Sequence, residues 1–244
     1  MTCPEHAEGN PTSSASWEMT PKIPRQLQDL FNGFDNCDRC RREANPLKHI
    51  LGGGLFKNPK YLFLFINPTR QNISSHEKYG GNRRYPFIGV RSFWKLMAGV
   101  GIIEDDIIKD IYAFGWRIEH EKIIEENLRK KSVYITNLVK CAQSHPNNPS
   151  SEIISEELKS LGEEIKIINP KYIVTFGKLP TKVMTGLDLK LADYLGAIET
   201  NDYVPLKSVD IAGRQFNVLP CYFPIGRGNR TGAIRMLRFI TDNF

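Results

Sequence analysis

Apolar residues in this chain occur in two patterns, namely short continuous runs and a helical spacing. Almost every residue is apolar at Tyr61–Ile66 and at Tyr172–Phe176, as is typical of parallel strands covered on both faces. Two further strands are predicted at Ser132–Thr136 and Phe216–Leu219. Between Ser151 and Ile168 the apolar residues instead recur at steps of three and four, which predicts an amphipathic helix.

Strands that alternate with helices along a chain predict an α/β fold. Such chains form a parallel sheet with helices on both faces, so we expect a three-layer α/β/α sandwich around a central four-stranded, mostly parallel sheet. The segment from Thr69 to Tyr85 is polar and is predicted to be a long loop. Shorter helices are predicted at Pro24–Phe34, at Ser92–Val100, after Gly177 and at Ile234–Ile240.

Composition and charge add expectations about the domain boundaries, the binding partner and the location of the protein. Residues 1–22 are rich in Pro, Ser, Thr, Glu and Asn, which predicts a disordered tail and leaves 23–244 as a single domain. The formal net charge of +6 favours a polyanionic partner such as nucleic acid. No apolar run approaches the roughly 18 residues that span a bilayer, and no secretory signal begins the chain. A monomeric, cytoplasmic protein with no membrane partner is therefore expected.

Polar or turn-forming residues follow three of the predicted strands. These segments are Asn67 to Thr69, Asn137-Leu138 and Pro220 to Arg227. Taken singly, each has an ordinary explanation as a turn that ends a strand. However, ligands of parallel sheets bind beyond the carboxyl ends of the strands. The shared position of these segments therefore predicts one site.

Four sequence blocks, in this order, resemble the uracil-DNA glycosylase superfamily. They read FINPT at 65–69, YPFIG at 85–89, VYITNLVKC at 133–141 and YFPIGR at 222–227. The third block, extended by NPKYIVTFG at 169–177, is closest to the iron–sulfur type, family 4, whereas the first resembles the N-P motif of the mismatch-specific branch. The resemblance implies a monofunctional DNA-repair glycosylase that excises uracil, or a related deaminated base, from DNA.

The resemblance also implies a role for individual residues of the first three blocks. An enzyme of this type must rotate the base out of the duplex before it can reach the glycosidic bond. Phe87 would stack on the flipped base, and the amide of Asn137 would read its edge by donating and accepting hydrogen bonds. Asn67 would be the catalytic residue that orients the attacking water. The backbone of Ile66, together with Pro68, would complete the base pocket.

The fourth block departs most from the family pattern. Phe223 stands where the family often has a histidine that stabilises the departing base anion. We therefore expect a lower rate by that route, or chemistry that depends on Asn67 and Asn137. The rest of the block is expected to press into DNA, with an apolar wedge and arginines on phosphates. The predicted DNA-binding residues are Phe223, Pro224, Ile225, Gly226, Arg227 and Arg230.

A second departure concerns Phe65, which replaces a glycine of the motif. Its side chain either crowds the base pocket or points into the core. Together the two phenylalanines keep an alternative open, in which the chain is a weak or inactive glycosylase-like module that binds DNA or a damaged base. A third possibility is an enzyme for another lesion, such as hypoxanthine or a modified uracil.

Three cysteines match cluster ligands of the iron–sulfur branch, namely Cys37, Cys40 and Cys141. The fourth ligand is unknown, because the expected region has Glu156 and Glu157 instead of a cysteine. Three alternatives follow: an iron–sulfur cluster with a non-cysteine ligand, a zinc site that includes His145, or no metal.

Overall fold

The computed structural model describes residues 22–36, 49–79, 83–141, 148–201, 206–226 and 228–244. Within these ranges the strands are β1 (Gly53–Gly54), β2 (Tyr61–Phe65), β3 (Val133–Asn137), β4 (Tyr172–Phe176), β5 (Lys207–Ile211) and β6 (Arg214–Cys221). The helices are α1 (Arg25–Asp35), α2 (Arg70–Tyr79), α3 (Arg91–Gly99), α4 (Asp105–Phe114), α5 (Glu119–Lys130), α6 (Ser151–Ile168), α7 (Lys178–Thr185), α8 (Leu191–Asn201) and α9 (Arg230–Asn243).

The strands form one sheet in the order β1-β3-β2-β4-β6-β5. The four central strands are parallel to one another, and the two edge strands are antiparallel to their neighbours. The predicted α/β fold is therefore confirmed, and the four predicted strands are the four parallel ones. The sheet has six strands rather than four, because each edge carries a strand that sequence periodicity does not predict. One of them consists of two glycines, and the other, KSVDI, is polar and only half buried.

Side chains of β2 alternate between the two faces of the sheet, as the pleat of a strand requires. Tyr61, Phe63 and Phe65 belong to one apolar cluster, and Leu62 and Leu64 belong to the other. The first cluster is covered by α3, α4, α5, α8 and α9, and the second by α1, α6 and α7. The sheet is thus the middle layer of three, with a core on each side.

The predicted loop from Thr69 to Tyr85 is wrong over residues 70–79, which form α2. This helix is polar and has no apolar stripe, so its period is invisible in the sequence. Its start does carry a local signal. The amide of Asn72 donates to Oγ1 of Thr69 at 3.3 Å, and the amide of Thr69 donates to Oδ1 of Asn72 at 3.3 Å. Such reciprocal capping begins a helix without help from hydrophobic patterning.

A second helix, α5, is not predicted from the sequence because polar side chains stand at some of its buried positions. In α5, Glu121, Glu125 and Asn127 lie on the buried side together with Ile124 and Leu128. Charged and amide side chains at core positions break the apolar period on which a helix prediction rests. Two other helices, α4 and α8, are also absent from the sequence prediction. None of the described helices is both long and apolar enough to cross a lipid bilayer.

Candidate active site

The carboxyl ends of the four parallel strands meet at one edge of the sheet. Phe65 at the end of β2 is paired with Asn137 at the end of β3, and Phe176 of β4 is paired with Cys221 of β6. The chain beyond β3 is tied to β2, since the amide of Leu138 donates to the carbonyl of Phe65 at 2.8 Å. The segments that follow the strands are therefore held side by side, as the strand-end rule predicts.

A cavity of about 410 Å³ opens at this edge. Its volume lies in the range of small-molecule pockets. Aromatic and aliphatic side chains form much of the wall, and amide and hydroxyl side chains add hydrogen-bonding groups. The lining residues are Phe65, Ile66, Asn67, Thr69, Asn72, Phe87, Val90, Ser92, Asn148, Phe223, Ile225 and Gly226.

Phe87 and Phe93 form a stacked pair beside this cavity, with ring centroids 3.9 Å apart and an angle of 18° between the rings. The ring of Phe65 makes edge contacts with both, at 4.7 Å from Phe87 and 5.5 Å from Phe93. These three distances place Phe65 beside the pair and not over the other face of Phe87. Among the described residues, no aromatic ring stacks on that other face of Phe87.

The backbone of Phe87 has a φ of +68°, which is unusual for a residue with a side chain. Two donors fix this conformation. The indole Nε1 of Trp94 donates to the carbonyl of Phe87 at 2.8 Å, and the amide of Val90 donates to the same carbonyl at 2.9 Å. Strained backbone persists where surrounding contacts over-determine it, and it clusters at functional sites. The ring of Phe87 is therefore held in place from both its backbone and its stacked neighbour.

Phe65 points into the core and not across the cavity, which decides between the two alternatives raised by its sequence. It is buried and stacks on Phe176 of the neighbouring strand at 4.5 Å. It also contacts the lining residue Phe223 at 6.5 Å. The side chain that replaces the glycine of the motif thus forms part of the cavity floor.

Asn67 lies at the mouth of the cavity, half buried, directly after β2. Its Nδ2 donates to the backbone carbonyl of Pro68 at 3.1 Å, which orients the amide group. The Oδ1 atom is then turned away from that bond and can accept a hydrogen bond from a ligand or a water. Pro68 itself is buried and does not line the cavity.

Asn137 is only 2% exposed and lies behind the cavity wall, not in it. Because registered residues of parallel strands share a face, its side chain is on the same side of the sheet as Phe65. Its Nδ2 has no hydrogen-bond partner among the described residues. A buried amide donor without a partner is costly, so this group is a natural place for a ligand acceptor.

A buried ion pair supports the end of β3. Nζ of Lys140 lies 2.6 Å from Oε2 of Glu164 and donates to the carbonyl of Asn137 at 2.7 Å. The hydroxyl of Tyr134 donates to Oε1 of Glu164 at 2.6 Å, and that of Thr136 donates to the same atom at 2.9 Å. Burial and the neighbouring Glu164 carboxylate hold the pKa of Tyr134 well above its ordinary value. The network therefore joins Asn137 to α6 through a desolvated charge pair.

The predicted DNA-binding block forms the opposite rim of the cavity. Phe223, Ile225 and Gly226 line it, whereas Pro224 is buried and Arg230, the first residue of α9, is exposed away from it. Arg227 lies outside the described residues. The turn is tight: the amide of Gly228 donates to the carbonyl of Ile225 at 3.1 Å, and a Cβ at 228 would meet the carbonyl oxygen of Phe223 at 1.8 Å. A side chain at 228 is therefore incompatible with this turn.

The proposed metal ligands are described only in part. Cys141 is buried at the end of the third block, while Cys37, Cys40 and His145 lie outside the described residues. Among the residues that are described, no three His, Cys, Asp or Glu side chains are grouped to hold a metal ion. The cysteine prediction therefore rests on the sequence pattern.

The structure brings together most of the residues predicted for the base pocket and adds several that the sequence does not single out. Thr69, Asn72, Val90, Ser92 and Asn148 also line the cavity. The local signal for the first two is the capping pair that begins α2. Val90 and Ser92 flank the start of α3, and nothing in the sequence distinguishes Asn148.

Comparison with known proteins agrees with this geometry. A profile of the family described as "Uracil DNA glycosylase superfamily" matches residues 54–239. The chain is also 27% identical over 124 residues to the type-4 uracil-DNA glycosylase of Pyrobaculum aerophilum. That alignment covers 51% of this chain and 61% of the relative, so it spans less than two thirds of that protein. Since the profile match extends over more than half of the chain, the chain belongs to the uracil DNA glycosylase superfamily, close to its type-4 members.

Proposed function

We propose that this protein removes uracil from DNA by hydrolysing the N-glycosidic bond of a flipped nucleotide. The observation that carries the proposal is that Phe87 lines a cavity together with Asn67, close to the unpaired amide of Asn137, and that among the described residues only Phe93 stacks on its ring. A flat apolar surface and a set of amide groups are what a pyrimidine ring with two carbonyl groups requires.

In this proposal the base stacks on the face of Phe87 that is turned away from Phe93. Stacking of a base on an aromatic ring contributes roughly 1–3 kcal/mol. The amide Nδ2 of Asn137 would donate to a carbonyl of uracil once the side chains of the cavity wall in front of it have moved aside. Cytosine carries an exocyclic amine at the position of one uracil carbonyl, and an amine cannot accept a donor of this kind. The pocket would therefore favour uracil over cytosine.

Asn67 would orient the attacking water. Its Nδ2 is engaged with the carbonyl of Pro68, so Oδ1 would accept a hydrogen bond from the water and aim its oxygen at C1′ of the sugar. The new C–O bond forms at C1′ as the glycosidic C–N bond breaks, and the base leaves with the bonding electron pair. The attacking water loses one proton as it becomes the hydroxyl on C1′, and the base anion takes up one proton, so that the step balances. An amide is a weak base, so Asn67 would position the water and not deprotonate it.

Among the described residues, no lysine lines the cavity, and the buried Lys140 is paired with Glu164. A Schiff base between an enzyme amine and C1′ is therefore not part of the proposal. The product would be an abasic site in an unbroken strand.

Phe223 favours a second candidate function, a module that binds a damaged base without excising it. This ring lines the cavity where the family often has a histidine, and it can neither donate a hydrogen bond nor carry charge. Stabilisation of the departing base is usually a large part of such catalysis. If excision needs that contribution, the protein would bind a damaged base in this pocket without cutting the glycosidic bond.

An oligonucleotide assay separates these candidates. Labelled single strands and duplexes that contain one uracil are incubated with the protein, treated with alkali and resolved on a gel. We expect alkali to cleave the strand at the position of uracil but not at thymine in a matched oligonucleotide. Without alkali, we expect no cleavage of the strand. Tight binding without cleavage would favour the binding module. Cleavage at hypoxanthine or a modified uracil, but not at uracil, would overturn the proposed substrate.

A further inference from the structure

Three side chains form a basic and aromatic surface next to the cavity, here called the Tyr112 patch. Tyr112 of α4 is 48% exposed. The guanidinium carbon of Arg91 lies over its ring at 5.5 Å from the centre, and Nζ of Lys95 lies over the ring at 5.3 Å. Both cations come from α3, where a spacing of four residues puts them on one face.

The charges of the patch are available to a ligand. Among the described residues, no carboxylate forms an ion pair with Arg91 or Lys95. The acidic residues of α4 have partners of their own. Asp106 pairs with Lys109 at 2.8 Å, and Asp110 contacts both Arg117 and His120. Asp105 and Glu104 stand at the opposite end of α4, about two helical turns from Tyr112.

The patch is continuous with the proposed base pocket. Val90 and Ser92, which flank Arg91 in the sequence, both line the cavity. Arg91, Ser92 and Lys95 are exposed along the same side of α3. A nucleic acid strand that leaves the cavity along this helix therefore meets the patch within one helical turn.

An exposed ring beside two unpaired cations has the chemistry of a single-strand binding surface. Aromatic rings stack on the faces of unpaired bases, and lysine or arginine contacts the phosphates on either side. Duplex DNA offers phosphates but no free base faces, because each base is stacked on its neighbours. The aromatic part of the patch thus distinguishes single strands from duplexes.

We infer that the Tyr112 patch binds the unpaired DNA strand that flanks the target nucleotide, with one base stacked on the part of the Tyr112 ring that Arg91 and Lys95 leave exposed. The inference rests on the proposed function for the position of the target nucleotide. It adds a preference for uracil in single-stranded or locally opened DNA. The binding that it describes does not require excision.

Binding measurements test this inference without using catalysis. Fluorescence anisotropy gives the dissociation constants of a labelled single-stranded oligonucleotide without uracil and of its duplex. We expect Tyr112→Ala to weaken single-strand binding about tenfold, which corresponds to about 1.4 kcal/mol, and to change duplex binding less than about twofold. Tyr112→Phe should bind like the wild type, since it keeps the ring.

The cationic part of the patch has a separate readout. The double variant Arg91→Ala/Lys95→Ala should reduce the log–log slope of the salt dependence of single-strand binding by about 1.4 units, because two phosphate contacts of about 0.7 each are lost. Lys159→Ala is the matched control, since Lys159 is exposed on α6 in the opposite layer. It should leave the slope unchanged.

Two results would overturn the inference. One is single-strand binding by Tyr112→Ala equal to that of the wild type, and the other is an equal loss on single strand and duplex. Failure of the proposed function is a different result, namely no excision of uracil while the Tyr112 variants still lose affinity. Circular dichroism confirms that each variant is folded, as expected for changes at exposed positions.

Discussion

Phe87 shows how a single residue of the site is fixed by its surroundings. Its ring is stacked on Phe93, and its positive φ is held by the indole of Trp94. The sequence motif predicts the residue, but it does not predict that one face of the ring is already covered. Because Phe93 covers one face, a base could stack only on the other, and a substitution of Phe87 tests this directly.

Phe87→Ala should lower kcat/KM for uracil excision at least about tenfold, through the loss of a stacking contact worth roughly 1–3 kcal/mol. Steady-state kinetics on a uracil-containing single strand measure the effect. Phe114→Ala is the matched control, because Phe114 is a phenylalanine that is 74% exposed and does not line the cavity. Equal loss in both variants would contradict a stacking role for Phe87.

Glu121 provides a pH-dependent test at the same scale. Burial raises the pKa of this carboxyl to about 7, against the opposing effect of the Arg83 charge. The unfolded chain loses this proton near pH 4.5, whereas the folded chain keeps it until about pH 7. The folded state therefore binds more protons between these values, and Glu121 makes the protein less stable as the pH rises through this window.

Glu121→Gln should thus raise the free energy of unfolding at pH 8 by an amount on the order of 3 kcal/mol, and by much less at pH 4.5. Urea denaturation at the two pH values measures the difference. A variant that is equally stabilised, or destabilised, at both pH values would show that the buried carboxylate carries no such cost.

Among the elements, the central strands and α6 follow from their apolar periods, and two of the helices that were missed, α2 and α5, have polar side chains where such a period would be read. α2 begins with a capping pair, and α5 buries Glu121, Glu125 and Asn127. Periodicity predicts elements whose burial is carried by apolar side chains. It cannot predict elements that are fixed by capping or by buried polar contacts, because these depend on partners distant in the sequence.

The ion pair of Lys140 and Glu164, which links β3 to α6, is one such buried polar contact. Glu164→Gln should lower the free energy of unfolding by about 3–5 kcal/mol, since the Lys140 ammonium would stay buried without its carboxylate. The double variant Lys140→Met/Glu164→Gln should regain part of that loss. Urea denaturation checks both. A loss below about 1 kcal/mol in the single variant would contradict the role assigned to this pair.

At the scale of the molecule, the order of four short blocks predicts the family and most of the cavity lining. The sequence places Asn67, Phe87 and Phe223 at one site, and the structure brings their segments to one edge of the sheet. The sequence could not predict that Asn137 lies behind the cavity wall or that Pro224 is buried, because how deeply these residues lie depends on how the phenylalanines pack. The Tyr112 patch is likewise invisible in the sequence, since its ring and its cations come from two helices.

The cysteine pattern gives one further prediction for the whole molecule. An iron–sulfur cluster would give protein that contains iron and has a broad visible absorption band, a zinc site would give colourless protein that contains zinc, and the third alternative gives metal-free protein. In the first two cases Cys141→Ala should lose most of the metal, whereas Cys221→Ala should keep it, because Cys221 is not among the three cysteines that match cluster ligands. Elemental analysis of the wild type and both variants distinguishes the three alternatives. A Cys141→Ala variant that keeps as much metal as the wild type would contradict the role of Cys141 as a ligand.

We propose that the glycosidic bond is cut in the cavity at the carboxyl edge of the sheet. To test this proposal, the single-turnover rate of uracil excision is measured for Asn67→Ala, for the wild type and for Asn243→Ala, whose exposed asparagine is at the end of α9. Affinity for the uracil oligonucleotide and thermal stability are measured in parallel. We expect Asn67→Ala to lose at least about a hundredfold in rate, because a group that positions a reactant is removed, and to stay folded and bound to the oligonucleotide. An Asn67→Ala variant that excises uracil at the wild-type rate would contradict it.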